Sequence, residues 1–400
     1  MSVADIETIL QRTFPGSKLL EANPLESGKS FNNRIYFLRV RLGPLGDAQP
    51  RIEELVLKIN GRPFGAAKVI NEVSCLWILE KLCPNVPSPR VFAWSEDGTS
   101  TVSIDRGSGP PKIHHNGQNA SKDTNPGWIF MSKAQGEALA LTNFDSEDIA
   151  SIGSQLADIV ARWRKSIPAQ PHCGALMFSQ DQDAGLPHMP MSPNPTRPWF
   201  KITGVVGDAI TFDAPVTTHR DYLRIKIEDK LRQLQSTDTY LPNRYLSPRL
   251  ADFVSNTLPT LELANGPAAK FVFTHFDLSP RNVLVSGTPP RVTGLVDFEF
   301  SGFFPEVDEF VNDYVDNGGD WPSAAYEAYL GRLAELGVNT PAHGIDEAVW
   351  KQAHWFGQMI EHIAPWWLPG DKGEEGLRGA LQESASVVEE MLKKFERVER

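Results

Sequence analysis

Cysteine is scarce in this chain, and the few that occur are scattered. The 400 residues contain only three cysteines, at Cys75, Cys83 and Cys173. Their number and spacing fit neither a disulfide framework nor a zinc site. We therefore expect a chain that folds around its apolar core, without covalent or zinc cross-links.

Long apolar runs and an excess of basic charge are also lacking. No segment approaches the ~20 consecutive apolar residues of a membrane span. The first residues, Met-Ser-Val-Ala-Asp-Ile-Glu-Thr, contain no basic stretch followed by an apolar one, so no signal peptide is visible. With 39 basic and 50 acidic residues the formal net charge is −11, which disfavours a nucleic-acid partner because no net basic field attracts phosphates. We expect a soluble, cytoplasmic protein with neither a membrane nor a nucleic-acid partner.

The chain is long enough for two or three lobes, and its periodicity changes along its length. Strand-like alternation dominates the first third, and helical spacing of apolar residues dominates the remainder. This pattern predicts a first lobe at residues 1–135, with a mobile Ser-, Gly- and Pro-rich insertion at about 95–127, and a second lobe at residues 136–400. We expect strands at 18–22, 35–40, 54–60, 90–94 and 128–133, and helices at 5–14, 66–82, 145–167, 217–235, 248–264, 322–336, 345–363 and 373–397.

A small polar turn lies between the first two predicted strands. Its Gly28-Lys-Ser sequence has the form of the end of a Walker A loop, but that motif needs glycine where Asn23 stands, and a helix instead of a strand after it. The Walker interpretation is therefore rejected. The turn, with Ser27 and Gly28, could instead cover the phosphates of a nucleotide with its backbone N–H groups. An ordinary hairpin turn is an equally good interpretation.

Two charged residues in the first lobe have competing interpretations. Lys58 lies within an apolar strand, and Glu72 lies in the helix predicted at 66–82. Each could face solvent, with Glu72 pairing weakly with Lys68 four residues earlier. In the functional alternative both turn inward, and Glu72 holds Lys58 against the phosphates of a nucleotide. The acidic residues farther along the chain favour this alternative. If the lobe binds a purine, the backbone from Met131 to Lys133 is where an adenine edge would hydrogen-bond.

The stretch from residue 271 to 299 carries the strongest chemical signal. An apolar run leads into Asp277, Asn282 follows five residues later, and a second apolar run ends at Asp297. A turn rich in glycine and proline separates the runs, so we expect a hairpin of two strands preceded by a loop. Two carboxylates and a carboxamide then lie near one point. This set suits metal-assisted phosphoryl transfer, since one Asp can orient a hydroxyl while the Asn and the other Asp hold Mg²⁺.

These motifs resemble those of the aminoglycoside phosphotransferase family, a branch of the protein-kinase-like fold that phosphorylates small molecules. The resemblance lies in His-Phe-Asp-Leu-Ser-Pro-Arg-Asn at 275–282, Leu-Val-Asp-Phe-Glu at 295–299, Lys58, Glu72, Val-Pro-Ser-Pro-Arg at 86–90 and Trp-Ile-Phe-Met at 128–131. The first of these motifs is similar to versions common in fungal members. The resemblance implies an α+β fold of two lobes, with a small antiparallel sheet and one main helix in the first and mostly helices in the second.

The resemblance also implies a role for each matching residue, with ATP and Mg²⁺ as cofactors. Asp277 would orient the acceptor hydroxyl and take up its proton, and His275 would brace the loop. Asn282 and Asp297 would bind Mg²⁺. Lys58 would contact the phosphates of ATP, and Glu72 would hold Lys58 in place.

The sequence differs at several positions from the motifs of the family and of protein kinases, and these differences help to choose among the possible functions. Phe276 replaces a glycine that is frequent in the family, and the sequence has Asp-Phe-Glu at 297–299 where protein kinases have Asp-Phe-Gly. No Ala-Pro-Glu element follows, and no Gly-x-Gly-x-x-Gly precedes, which counts against a protein kinase. A small-molecule kinase is the favoured function, with a non-catalytic nucleotide-binding regulator and a protein kinase as alternatives.

The acceptor pocket is predicted in the second lobe, beside Asp277. Acidic and aromatic side chains there would suit an ammonium-bearing acceptor through ion pairing and cation–π contact. The alternative is a solvated helix face with tryptophans in the core. The candidate residues are Glu306, Asp308, Glu309, Asp313, Asp316, Trp321, Trp355, Trp366 and Trp367.

Overall fold

The computed structural model of the chain divides into two compact units. The first unit comprises Met1–Phe144, Leu176–Lys201 and Pro280–Ser301, and the second comprises Asp145–Ala175, Ile202–Ser279 and Gly302–Arg400. The residues described are 3–26, 33–42, 51–61, 66–98, 100–105, 112–116, 127–178, 200–202, 216–265, 270–311, 320–365, 367–368 and 373–398. The mixed α+β class expected from the sequence is confirmed.

Strands dominate the early part of the chain, and helices the later part. In chain order the elements are α1 (Val3–Thr13), β1 (Lys18–Pro24), β2 (Asn33–Leu42), β3 (Arg51–Asn60), α2 (Ala66–Leu82), β4 (Val91–Ser95), β5 (Thr101–Asp105), β6 (Lys112–Asn116), β7 (Trp128–Ser132), β8 (Glu137–Ala138), α3 (Ser146–Ser166), β9 (Leu176–Phe178), β10 (Phe200–Ile202), α4 (His219–Ser236), α5 (Ser247–Asp252), β11 (Val272–Thr274), β12 (Val283–Ser286), β13 (Arg291–Leu295), β14 (Gly302–Phe304), α6 (Asp308–Val311), α7 (Ser323–Glu335), α8 (Glu347–Ile363) and α9 (Gly373–Val398).

A seven-stranded sheet in the order β1-β2-β3-β7-β4-β5-β6 forms the body of the first unit. Its neighbouring strands are antiparallel. Alternate residues of β3 point to opposite faces, so Leu57 and Ile59 join the core beneath α1 while Lys58 points to the other face. The insertion predicted at 95–127 contributes β5 and β6 to this sheet, and its mobility stays a prediction for the residues outside the described ranges.

Helix α2 has the bounds that its apolar spacing predicts, and it is buried around most of its circumference. Its apolar residues Val73, Leu76 and Leu79 are in the core, but Lys68 and Glu72 are buried as well. A helix surrounded by protein in this way requires partners for its polar side chains, since an unpaired buried charge is costly. Those partners lie in the candidate active site described below.

The hairpin expected from the central motif is present as β12 and β13, with Val283 opposite Leu295 and a register shift between Leu284 and Val285. Strand β8 adds a third strand beside β12. Gly136 precedes β8 with a φ of +96°, and a Cβ there would collide with Thr293 and the carbonyl of Val285. Glycine is therefore required where the chain enters this small sheet.

The second unit is mostly helical and is built around α3 and its neighbours. Asp145 caps α3 by accepting hydrogen bonds of 2.9 Å from the backbone N–H groups of Glu147 and Asp148, as helix N-terminal aspartates do. Strand β11 pairs with β14, Val272 opposite Phe304. None of the helices in the described ranges has the length and hydropathy that a membrane crossing requires.

The helix predicted at 248–264 is broken into shorter pieces, and this prediction was wrong. Helix α5 ends at Asp252, a π-helix runs from Phe253 to Thr257, and short 3-10 turns follow. Pro259 lies at the start of one of these turns, where its missing N–H cannot continue an α-helix.

Candidate active site

A buried cluster of charges in the first unit centres on Lys58. Its ammonium nitrogen lies 2.6 Å from Glu72, 2.6 Å from Asp297 and 2.7 Å from Glu299. The side chains of Lys58 and Glu72 are 7% and 3% exposed. The inward ion pair between Lys58 and Glu72 is therefore formed, and the alternative of two solvent-facing residues is wrong.

Three separate elements bring these side chains together. Lys58 lies in β3, between Ile35 of β2 and Ile129 of β7 in the register of the sheet. Glu72 lies one turn after Lys68 in α2. Asp297 lies two residues beyond Leu295, the last residue of β13. The network thus ties the sheet, the main helix and the hairpin of this unit to one point.

The pKa values of the group reflect a balance between burial and charge. Burial would lower the pKa of Lys58, but Asp297, Glu299 and Glu72 outweigh it and hold the pKa well above its usual value. Burial raises the pKa of Glu72 to about 7, and Lys58 opposes this. Burial would also raise the pKa of Asp297, but Lys58 outweighs it and keeps the pKa below its usual value. Lys58 is therefore fixed as a cation, and Asp297 as an anion.

Glu299 belongs to this cluster and was missed as a site residue. One of its carboxylate oxygens lies 2.7 Å from Lys58 and accepts a hydrogen bond of 2.8 Å from the amide of Asn33, and the other lies 3.0 Å from Lys68. The amide of Asn71 donates to the carbonyl of Glu299 at 2.9 Å. The signal available in the sequence was the second acidic residue in Asp-Phe-Glu, two positions after Asp297.

The same cluster has the oxygen chemistry that a divalent cation needs. The nearest carboxylate oxygens of Glu72, Asp297 and Glu299 lie within 4.8 Å of one another. Asn282 is buried at the same end of the β12–β13 hairpin as Asp297, and its carbonyl accepts a hydrogen bond of 3.0 Å from Val296. Carboxylate and carboxamide oxygens are ligands that Mg²⁺ prefers, so the residues present fit this ion.

Two non-glycine residues in the described ranges have a positive φ: one is a predicted site residue, and the other directly precedes one. Asp297 has a φ of +70° and Phe276 a φ of +72°. A left-handed backbone costs about 1–3 kcal/mol for a non-glycine residue, although aspartate tolerates it better than a bulky side chain. Backbone strain of this kind is typical of functional sites, and here it falls on Asp297 and on the residue before Asp277.

The loop that carries Asp277 belongs to the second unit and is anchored on both sides. His275 is fully buried, and its Nδ1 accepts a hydrogen bond of 3.3 Å from the backbone N–H of Asp277. The indole N–H of Trp321 donates to the carbonyl of Leu278 at 2.8 Å. Asp277 itself is half-buried. The bracing role expected for His275 agrees with this geometry.

Three of the residues proposed to line an acceptor pocket are core contacts. Asp308 is buried against the hydroxyl of Tyr222, and Glu309 pairs with Arg164 at 2.6 Å. Trp321 is also buried. The alternative of core tryptophans and structural acids is therefore the better interpretation for these residues. Asp313, Asp316 and Trp366 lie outside the described residues.

The remaining candidate nucleotide contacts are described only in part. Ser27 and Gly28 lie outside the described residues. Met131 is buried in β7, between β3 and β4. The N–H of Lys133 donates to the carbonyl of Glu54 at 3.4 Å, and its ammonium lies 3.0 Å from the carboxylate of Glu54. Lys133 thus lies directly beyond the end of β7, held against β3.

Solved structures of the same fold are found over nearly the whole chain. The ADP-bound structure of aminoglycoside phosphotransferase APH(2'')-Ib has a TM-score of 0.54 and 12% identity, and the match covers 98% of this chain and 99% of that chain. The gentamicin complex of APH(2'')-IIa has a TM-score of 0.56 at 12% identity, with 98% and 99% covered. Its ternary complex with streptomycin and ATP has a TM-score of 0.54 at 13% identity, with 97% and 99% covered.

At these identities the structures show a shared fold. They confirm the two-lobe protein-kinase-like architecture expected from the sequence. No match is found among curated protein sequences. The model of the APH phosphotransferase enzyme family matches residues 24–341, which include the motifs at 275–282 and 295–299. The chain belongs to this phosphotransferase family.

Proposed function

We propose that the protein transfers the γ-phosphoryl group of ATP, with Mg²⁺, to a hydroxyl of a small molecule. The observation that carries this proposal is the buried ammonium of Lys58, held at 2.6 Å by both Glu72 and Asp297. An ordered lysine beside metal-binding carboxylates is the arrangement that positions a nucleoside triphosphate in kinase-like enzymes. Membership of a phosphotransferase family supports the same reaction class.

In this proposal the first unit binds the nucleotide. Lys58 contacts the phosphates, and Glu72 keeps its ammonium in place. The backbone of Ser27 and Gly28 covers the phosphates, and the backbone from Met131 to Lys133 meets the adenine edge. Along the chain, the proposed nucleotide-binding lobe is residues 1–135 and the proposed catalytic and substrate-binding lobe is residues 136–400, of which Pro280–Ser301 belongs to the first unit.

Asn282 and Asp297 are the proposed ligands of Mg²⁺. The carboxylate of Asp297 remains ionised because Lys58 lowers its pKa, which keeps it ready to bind a cation. Bound Mg²⁺ would supply charge neutralisation on the phosphoryl oxygens. The second acidic residue of the motif, Glu299, lies close enough to Asp297 to share this task.

Asp277 is the proposed catalytic residue. It orients the acceptor hydroxyl and takes up its proton while the acceptor oxygen bonds to the γ-phosphorus and the bond to ADP breaks. In a loose phosphoryl-transfer transition state the proton moves late, so Asp277 needs no raised pKa. Its anchoring through His275 and Leu278 provides the positioning on which this chemistry depends.

The acceptor is proposed to be a small hydroxyl compound, such as an aminoglycoside-like compound, an amino alcohol, a sugar or a secondary metabolite. Structures of similar fold contain gentamicin and streptomycin, so both belong in an acceptor panel. A cationic acceptor remains compatible with the net charge of −11. Asp308 and Glu309 add no support for a cationic acceptor, because they are buried against Tyr222 and Arg164.

The decisive experiment measures acceptor-dependent formation of ADP across such a panel. We expect turnover with at least one acceptor, and a loss of at least about 100-fold in kcat for Asp277→Asn. Asp252→Asn, an exposed aspartate of the same unit, is the matched control and should retain full activity. A thermal shift with ATP and Mg²⁺ should persist in Asp277→Asn, since Lys58 and Asp297 are intact.

Three results would count against the proposal. Full turnover by Asp277→Asn would remove Asp277 from the reaction. If the wild-type protein shows no thermal shift with ATP and Mg²⁺, a non-catalytic protein becomes the better assignment. Phosphate incorporation into protein acceptors, with none into small molecules, would identify a protein kinase.

A further inference from the structure

Phe276 adopts a backbone conformation that its side chain disfavours. Its φ is +72°, a region that glycine enters freely and a phenylalanine rarely does. Phe276 immediately precedes Asp277, so its backbone angles determine the direction in which the Asp277 side chain leaves the loop. Something in the second unit must therefore hold Phe276 in this conformation.

The ring of Phe276 is held from two directions. It packs on Phe304 with ring centroids 4.7 Å apart at an angle of 44°, and the ammonium of Lys226 lies 5.6 Å from its centroid. Phe304 belongs to β14 and pairs with Val272 of β11, the strand that leads into the loop. The support under the ring is therefore fixed relative to the loop itself.

Lys226 is held firmly as well. It extends from α4, and its ammonium donates to the hydroxyl of Tyr222 at 3.2 Å and lies 3.8 Å from Asp308. The side chains of Lys226 and Asp308 are 13% and 8% exposed. Tyr222 is fully buried, and its hydroxyl donates to Asp308. A lysine with these partners cannot move away from Phe276 without losing its contacts with Tyr222 and Asp308.

We propose that Lys226 is a positioning residue for Asp277. It holds the ring of Phe276 on Phe304, maintains the left-handed backbone at Phe276, and thereby fixes the direction of the Asp277 carboxylate. The catalytic part of this proposal rests on the function proposed above. The structural part, that Lys226 holds the loop, stands without it.

The other anchors of the loop do not replace this contact. His275 accepts from the N–H of Asp277, and Trp321 donates to the carbonyl of Leu278. Both bonds reach the backbone after Phe276. The His275 bond restrains the peptide plane between Phe276 and Asp277, but neither bond holds the ring of Phe276 against Phe304. Without Lys226 the loop can relieve its strain at Phe276, and the carboxylate of Asp277 turns with it.

A double-mutant cycle tests the proposal. Lys226→Met keeps a long, unbranched side chain but removes its charge. We expect it to lower kcat by about 10- to 100-fold. The KM for ATP should stay within about threefold, because Lys226 is absent from the nucleotide site of the first unit. Lys226→Arg should retain most of kcat, since a guanidinium also stacks on aromatic rings.

Phe276→Gly supplies the second arm of the cycle. Glycine adopts a positive φ without support, so adding Lys226→Met to Phe276→Gly should change kcat by less than about threefold. Phe276→Asn, whose side chain tolerates the left-handed region, replaces Phe276→Gly if the latter lowers the melting temperature strongly. Equal losses from Lys226→Met in both backgrounds would overturn the proposal, as would an unchanged kcat in Lys226→Met alone.

Hydrogen exchange gives a readout that requires no acceptor. The backbone N–H of Asp277 is bonded to His275, and Lys226→Met should speed its exchange by at least about tenfold, while Lys226→Arg should not. Unchanged exchange in Lys226→Met would overturn the structural part. Faster exchange in Lys226→Met, combined with full turnover by Asp277→Asn, would support the structural role of Lys226 and reject the proposed role of Asp277.

Discussion

The ammonium of Lys68 lies 3.0 Å from a carboxylate oxygen of Glu299, and the two side chains are 7% and 2% exposed. Glu299 also lies 2.7 Å from Lys58, so one carboxylate contacts two buried lysines. Burial lowers the pKa of Lys68, and Glu299 opposes this. The pair therefore maintains the charge of a lysine that the interior would otherwise tend to deprotonate.

We predict that Glu299→Ala destabilises the protein by about 3–5 kcal/mol, because it leaves Lys68 buried without its carboxylate. The double variant Lys68→Met/Glu299→Ala should lower the free energy of unfolding by less than the sum of the two single changes, since it also removes the charge of Lys68. Urea unfolding measures each free energy. Glu54→Ala is the matched control in the same unit, because its exposed pair with Lys133 should contribute almost nothing. An additive double variant would contradict the coupling between Lys68 and Glu299.

A second prediction concerns the contact between helices α3 and α7. A Cβ added at Gly153 of α3 would collide with the carbonyl oxygen of Ala325 in α7. Gly153→Ala must therefore separate two helices at their packed faces, which we expect to cost about 1–3 kcal/mol in the free energy of unfolding. Gly331→Ala in α7 is the matched control, since nothing lies within 4 Å of its added Cβ. Alanine should stabilise the helix there by about 0.4–1 kcal/mol. If Gly153→Ala and Gly331→Ala both lower the free energy of unfolding, the lack of space beside Gly153 is not the cause.

Periodicity in the sequence was sufficient for the secondary structure wherever one pattern ran without interruption. Helix α2 has the predicted bounds because its apolar residues recur at helical spacing from Ala66 to Leu82. The helix predicted at 248–264 failed because Pro259 removes a backbone donor, which apolar spacing does not register. The pairing of β11 with β14 joins segments about 30 residues apart, and no local pattern encodes such a contact.

The candidate site likewise contains features that local sequence predicts and features that depend on the complete fold. Lys58, Glu72 and Asp297 could be named because each residue type matches a known chemical role at the expected place in the chain. The sequence suggests Lys68 only as a surface partner of Glu72, in the alternative that was not favoured, since residues four apart on a helix are neighbours. The fold instead buries both, and it pairs Glu72 with Lys58 and Lys68 with Glu299. Which carboxylate meets which lysine depends on three segments packed together, and the sequence specifies that only through the complete fold.

The third prediction concerns stability at acidic pH. Burial lowers the pKa of His219 below its usual 6.5, and Asp308 opposes this. Burial likewise lowers the pKa of His362, against the influence of Glu383. In the unfolded chain both imidazoles take up a proton near pH 6.5, whereas in the folded protein they do so only at lower pH. At these two positions the unfolded state therefore binds more protons in this interval, so their contribution to the free energy of unfolding should fall as the pH drops below about 6.5. Glu72, whose pKa is raised to about 7, contributes in the opposite direction.

His219→Asn tests how much of that loss comes from one imidazole. The variant removes the proton uptake at this position, so its free energy of unfolding should decline less steeply with falling pH than that of the wild-type protein. Urea unfolding at several values between pH 7.5 and 5 measures both slopes. His362→Asn should reduce the slope separately, and the double variant should reduce it by about the sum, because the two residues lie on different helices, α4 and α8. A slope that His219→Asn leaves unchanged would mean that the folded protein protonates His219 as readily as the unfolded chain does.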